Sequence, residues 1–213
     1  VRIGDEAGNA LASGGNQNTV VGDEAGTAIT TGEKNTSLGY QSLKTNTTGD
    51  RTVAIGHSAL YTQNFTGGDI SYNTAVGFES MYNLTTAQFN TALGYQAGTG
   101  ITTGNLNTLI GSNAGDAINT GIENVALGYN ALSADVKGNS SIAIGSKALQ
   151  AQSFSGATDA LNTAVGHNAG KSVTTGVQNT ILGALAGDAL TDADTNVAIG
   201  VSALGADTKG NSS

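Results

Sequence analysis

The chain repeats one phrase, and its best copy is Asn73-Thr74-Ala75-Val76-Gly77-Phe78-Glu79-Ser80. Counted on the glycine, twelve copies fill the 213 residues, and most successive copies lie 17 residues apart. A period this regular predicts stacked structural units, each burying its apolar side against its neighbours. It argues against a globular domain built around one active site.

Within the phrase, the residues alternate as they do in a β-strand. If Asn is position zero, position one is Thr, Val or Ile and position three is Val, Ile or Leu in every copy, whereas position two is mostly Ala. Since residues two apart share one face of a strand, we expect positions one and three to point into the core. Position two then faces outward and offers a second apolar surface.

The bend after the strand is predicted from glycine and from small residues. Position four is Gly in every copy, which indicates a turn with a positive φ angle or a close backbone approach. Position seven is always Ala or Ser, so the interior is expected to be thin. Where position eight is Gly, position eleven is aliphatic, as in Gly26 with Ile29; where position eight is Leu, position eleven is polar, as in Leu43 with Asn46. One aliphatic side chain per turn is therefore expected to fill one core pocket, from either side of the bend. The predicted turn glycines of the complete copies are Gly22, Gly39, Gly56, Gly77, Gly94, Gly111, Gly128, Gly145, Gly166, Gly183 and Gly200.

Two intervals of 21 residues hold the same four-residue insertion, near residues 61–69 and 150–158. Insertions at one bend of a solenoid project from one face, where solenoids usually carry their binding loops. We therefore expect Phe65 and Phe154 to act there as lids on the bend or as contact points, with Tyr61 beside them. Further recognition candidates are Tyr40, Tyr95 and Tyr129, which share position five with Phe78, where an aromatic stripe could stack on sugars or pack between chains.

Composition limits the partners. The net charge is −8 with only 8 Lys and Arg, which argues against a nucleic-acid groove or an anionic membrane surface. The chain has no Cys, and no apolar run is long enough to span a bilayer. We expect no membrane insertion by this segment. Because the phrase is already under way at Val1 and is cut short at Ser213, residues 1–213 are expected to be one repeat array from a longer fibre.

These patterns predict an all-β fold, a parallel β-solenoid or β-roll of about twelve 17-residue turns. Residue n should pair with n+17, or with n+21 across an insertion, so that Val21 lies beside Leu38. Asn at position zero should form a ladder of side-chain hydrogen bonds along a rod of roughly 58 Å, at a strand spacing of about 4.8 Å. Because each coil is thin, we expect an elongated homotrimer that buries position two.

Two stretches carry a resemblance to known families. Residues 196–203 and 141–148, of the form Asn/Ser-Val/Ile-Ala-Ile-Gly-x-x-Ala, resemble the head repeats of trimeric autotransporter adhesins. Residues 90–98, Asn-Thr-Ala-Leu-Gly-Tyr-Gln-Ala-Gly, look like shaft repeats of long phage tail fibres. The resemblance implies a left-handed parallel β-roll that trimerises, on a virion or on a cell-surface appendage, with no catalytic site in the repeats.

The function expected from the sequence is therefore structural or adhesive, in an extracellular fibre that serves host or surface recognition. Its partners would be further copies of the chain and a cell-surface glycan or protein receptor. No enzyme activity, cofactor or metal is predicted, because His57 and His167 lie six turns apart and cannot share a site. Alternatives are an ice-binding or other ligand-binding β-solenoid and, less favoured, a left-handed β-helix acyltransferase.

Overall fold

Each copy of the phrase forms a very short β-strand, because β-branched and aliphatic residues at positions one and three favour extended backbone. The computed structural model describes residues 1–67, 70–208 and 210, so residues 68 and 69 of the first insertion lie outside it. The strands are β1 (Arg2–Ile3), β2 (Thr19–Val21), β3 (Thr36–Leu38), β4 (Val53–Ile55), β5 (Thr74–Val76), β6 (Thr91–Leu93), β7 (Thr108–Ile110), β8 (Val125–Leu127), β9 (Gly138–Asn139), β10 (Ile142–Ile144), β11 (Thr158–Asp159), β12 (Thr163–Val165), β13 (Thr180–Leu182) and β14 (Val197–Ile199).

Twelve of these strands form one parallel sheet, in the order β1-β2-β3-β4-β5-β6-β7-β8-β10-β12-β13-β14. Val21 pairs with Leu38, and across the first insertion Ile55 pairs with Val76. The predicted register is confirmed, and the chain is an all-β parallel solenoid of about twelve turns. The described residues form no helix, and hence none that could cross a membrane.

The prediction of which strand face is buried is wrong. Position two lies inside, with Val20 and Ala75 fully buried, whereas position three lies outside, with Leu38 45% and Leu93 47% exposed. The interior beside the strand is too narrow for a regular row of large side chains, so the Ala-rich position occupies it. Positions one and three therefore form the outer face of the sheet.

Position two becomes larger only where glycine makes room for it. A Cβ atom at Gly98 would lie 2.7 Å from Leu109 Cδ1, and a Cβ atom at Gly115 would lie 2.7 Å from Leu109 Cδ2. Leu109 therefore fills the space left by two glycines at position eight. Ile29 and Leu43, at positions eleven and eight of successive turns, are both fully buried, which confirms one core pocket per turn.

The glycine at position four is required by the backbone. Gly111 has a φ angle of +130°, and a Cβ atom there would lie 2.6 Å from the carbonyl oxygen of Gly128 in the next turn. A side chain at this position would therefore meet both an unfavourable φ angle and a collision with the stacked backbone. The glycines at position four of all twelve copies have positive φ angles.

Candidate interaction surfaces

Asn at position zero joins each turn to the next from inside the coil. Nδ2 of Asn90 donates to the carbonyl of Gly104 at 2.9 Å, which closes its own turn, and Oδ1 accepts from the backbone N–H of Asn107 at 2.9 Å. Asn107 repeats this arrangement with Gly121 and Asn124. The predicted ladder is confirmed. Each amide is fully buried, so its bonds form where water does not compete.

The ladder lacks its Asn at two turns, Thr52 and Ser141, and these are the turns that carry the insertions. In the second, Nε2 of Gln152 donates to Oγ of Ser141 at 2.9 Å, and Oε1 of Gln152 accepts from Nδ2 of Asn162 at 2.8 Å. Gln63 makes the same pair of bonds, to Thr52 at 2.9 Å and from Asn73 at 3.0 Å. A glutamine from the inserted turn thus replaces the missing asparagine amide.

The insertions place their phenylalanines inward. Phe65 is 2% and Phe154 is 6% exposed, so both rings cover the core at the bend. Of the two roles expected for them, the structure supports the lid, because a buried ring is not available as a contact point. The exposed parts of the insertions are small or polar residues such as Thr66 and Gly156. The second insertion also pairs with the preceding turn, through β9 and β11.

Position five carries a column of neighbouring rings on the outside of the rod, tilted by 46° between Tyr40 and His57 and stacked from His57 to Tyr95. The ring column consists of Tyr40, His57, Phe78 and Tyr95, with successive ring centroids 5.1, 4.9 and 5.5 Å apart. All four side chains are exposed. Tyr129 is also exposed, but its neighbours at position five are the serines of the adjoining turns.

A second exposed column precedes the strands, on their other side. This pre-strand column consists of Arg51, which is half-buried, and of Tyr72, Phe89 and Leu106, which are exposed. Tyr72 and Phe89 stack with centroids 5.2 Å apart, and the guanidinium of Arg51 lies 5.7 Å from the Tyr72 ring. Between the two columns runs the outer strand face, formed by positions one and three, on which no residue is charged.

Charged groups interact elsewhere on the rod. The Lys44 ammonium hydrogen-bonds the Glu24 carboxylate and, with help from Gln41, holds the pKa of Glu24 below its usual range. The same bond raises the pKa of Lys44, whose ammonium also lies 5.6 Å from the ring of Tyr61. Tyr61 is itself stacked on Tyr82, with centroids 4.9 Å apart, and is half-buried.

Partial burial raises the pKa of Asp116, against the opposing effect of a hydrogen bond from Asn113. Among the described residues there is no cavity, and no group of three or more His, Asp or Glu side chains is placed to bind a metal ion.

This chain matches no family model, no curated protein and no solved structure. Its function is therefore inferred from its own surfaces. Of the recognition candidates, Tyr40, Tyr95 and Tyr129 are exposed, Tyr61 is half-buried, and the two phenylalanines are buried. Sequence reasoning missed Gln63 and Gln152, although the coincidence of each insertion with a missing Asn was visible in the sequence.

Proposed function

We propose that this chain is a non-enzymatic segment of an extracellular fibre, on a virion or a cell surface, that serves host or surface recognition as a shaft or an adhesive stalk. The observation that carries the proposal is the uninterrupted parallel sheet from β1 to β14, which keeps one register through both insertions. Twelve strands at a spacing of about 4.8 Å give a rod of roughly 58 Å. Each turn touches only its neighbours, so added turns lengthen the rod without changing it.

The partners follow from the same geometry. A coil whose interior holds one aliphatic residue and a few alanines per turn buries little apolar surface for its length. Self-association would supply the missing burial, and we propose a homotrimer. The second partner that we propose is a cell-surface glycan or protein receptor. The resemblance of residues 90–98 and 196–203 to fibre and adhesin repeats supports the same assignment.

Deleting whole repeats tests the shaft role. Removing residues 91–124, two complete repeats, joins Asn90 to Val125 and restores the phrase. We expect a folded rod that is shorter by roughly 10 Å, measured by small-angle X-ray scattering and negative-stain electron microscopy. Removing residues 91–116 breaks the period, so we expect the sheet to be interrupted at that turn and the rod to lose stability. A compact wild-type particle, or a two-repeat deletion that does not fold, would contradict the fibre assignment.

An ice-binding function is favoured by one observation, an outward column of threonines at position one in seven of the twelve strands. The neighbouring position three carries Val, Ile and Leu of unequal length, and aromatic rings flank the strands, so the face is not flat. The first threonine of a Thr-Thr pair at the bend is also engaged along the rod, since the hydroxyl of Thr30 donates to the carbonyl of Thr47 in the next turn at 3.1 Å. We expect no thermal hysteresis by nanolitre osmometry.

A further inference from the structure

The outer strand face is an apolar surface that nothing in the single chain covers. Position three presents a large aliphatic side chain in every strand, and Leu93, Leu127 and Leu182 are each more than two-fifths exposed. Monomeric soluble proteins rarely leave a continuous apolar band of this length open to water. We propose that this face, together with the two columns that border it, is where copies of the chain assemble side by side, parallel and in register.

This inference rests on the proposed fibre function, and it assigns the contact between chains to a different face of the strand from the one that the sequence suggested. The thin core had suggested that position two would be the contact between chains, but Ala75 and Leu109 at that position are fully buried. What a neighbouring chain can reach is the set of positions one, three and five, with the pre-strand column beside them.

The two columns indicate an apolar partner rather than a sugar. Phe78 stacks on both His57 and Tyr95, and Tyr72 stacks on Phe89, so both faces of Phe78 and one face of each partner are covered within the columns. Rings stacked in this way present their edges outward. Sugars bind to open ring faces, whereas ring edges pack well against aliphatic side chains and other rings.

The regular spacing of side chains along this face indicates that its binding partner is another copy of the same chain. Its side chains recur once per turn, about every 4.8 Å, over roughly 58 Å. A partner that meets this surface along its whole length needs the same repeat, and another copy of this solenoid has it. Charge is compatible with the contact, because positions one and three carry no charged side chain in any copy. The charged residues of the bordering positions lie at the two edges of the face and are of both signs: Asp5 and Asp23 at position five, and Lys34, Arg51 and Glu123 before the strands.

The size of the face is sufficient for a stable contact. From position one to position five it is about 13 Å wide, at about 3.3 Å per residue, and about 58 Å long, which gives about 750 Å² per chain. Two such faces bury about 1,500 Å², within the range of specific protein interfaces. A surface of this kind closes around an axis parallel to the rod, and three copies would each place the face toward that axis.

Two leucines of one turn give a matched pair of variants. Leu182 lies on the outer strand face and is 47% exposed, whereas Leu185 lies beyond the glycine bend and is 37% exposed. Leu182→Asp, combined with Leu93→Asp, places two carboxylates in the proposed interface without changing a buried residue. Leu185→Asp makes the same chemical change outside it.

Light scattering coupled to gel filtration measures the mass of each variant, and far-UV circular dichroism checks that the coil remains folded. We expect the wild type and Leu185→Asp to have three times the chain mass of 21.0 kDa. The mass of the double variant Leu93→Asp/Leu182→Asp should fall threefold, to that of one chain, while its circular dichroism spectrum is unchanged. The single variant Leu93→Asp should be intermediate, so the test survives if the double variant does not fold.

Three results would overturn the interface: a monomeric wild type, an assembly that survives both substitutions, or equal dissociation by Leu185→Asp. Small-angle X-ray scattering from the same samples measures the length of the particle, and it therefore tests the fibre proposal separately from the interface. A monomer that is still a rod of roughly 58 Å removes the interface and leaves the fibre segment standing. A wild type that is not a rod refutes the fibre proposal itself.

Discussion

Replacing Gln152 with Met tests whether the inserted turn repairs the asparagine ladder. Methionine keeps the length and approximate volume of the side chain but removes its amide. Three hydrogen bonds are lost, to Asp135 Oδ2 at 2.6 Å, to Ser141 Oγ at 2.9 Å and from Asn162 Nδ2 at 2.8 Å. All three partners are fully buried, so water does not replace the lost bonds.

The magnitude follows from which partners keep another bond. Asn162 still donates to the carbonyl of Gly176, and Asp135 still accepts from the backbone N–H of Gly138. Neither side chain finds a new partner for the hydrogen bond that it made with Gln152. A buried polar group left without its partner costs about 1–3 kcal/mol. Allowing for the bonds that remain, we expect Gln152→Met to lower the free energy of unfolding by about 3–5 kcal/mol.

Urea unfolding followed by circular dichroism measures this loss, at one fixed protein concentration because assembly adds to apparent stability. Gln150→Met is the matched control, since Gln150 lies two residues earlier in the same insertion and is only half-buried. Hydrogen exchange should show the loss centred on the turns that contain Ser141 and Asn162. If both variants lose the same stability, or if neither does, Gln152 does not stand in for the missing asparagine.

Three further outcomes are expected. Leu109→Asp should unfold the coil at micromolar concentration, because Leu109 is fully buried, whereas Leu93→Asp should leave its circular dichroism intact; equal spectra would contradict the corrected strand facing. Gly111→Ala should cost about 1–3 kcal/mol in thermal melts, while Gly156→Ala, where a Cβ atom meets nothing within 4 Å, should be neutral. Burial raises the pKa of Asp116, so the native chain binds more protons and loses stability as the pH rises through that raised pKa. Asp116→Asn should remove this fall in melting temperature between acid and neutral pH, and an unchanged pH profile would contradict it.

The period, the parallel sheet and the register could be predicted from sequence, because each follows from spacing alone. Which face of the strand is buried could not be predicted from the alternation of residues. The alternation shows that every second residue shares a face, but it does not show which of the two faces points into the core. Hydrophobicity then misled, since the larger residues such as Leu93 face outward and Ala92 faces inward. One correlation in the sequence nevertheless indicated the buried face. Position two holds a large residue, Leu109, where position eight is glycine in the same turn and in the turn before.

The insertions were interpreted by analogy with binding loops, and the analogy overlooked their polar residues. Gln63 and Gln152 occur where position zero is Thr or Ser, so the local sequence already indicated that an amide had moved from the strand to the loop. The ring column was predicted as a shared position. Its close stacking could not be predicted, because it depends on the rotation of each ring about its own side chain.

The bonds that join successive turns run along the rod, since the strands cross it. A pull that is spread over the two end turns therefore stretches these bonds instead of sliding one strand past another, and it loads all the bonds of one joint together. The forward reach of each asparagine, as from Asn90 to Asn107, adds a bond to the joint inside the coil. Under such a load a joint holds until many of its bonds fail at once, whereas a pull on one terminal residue would peel the end turn away bond by bond.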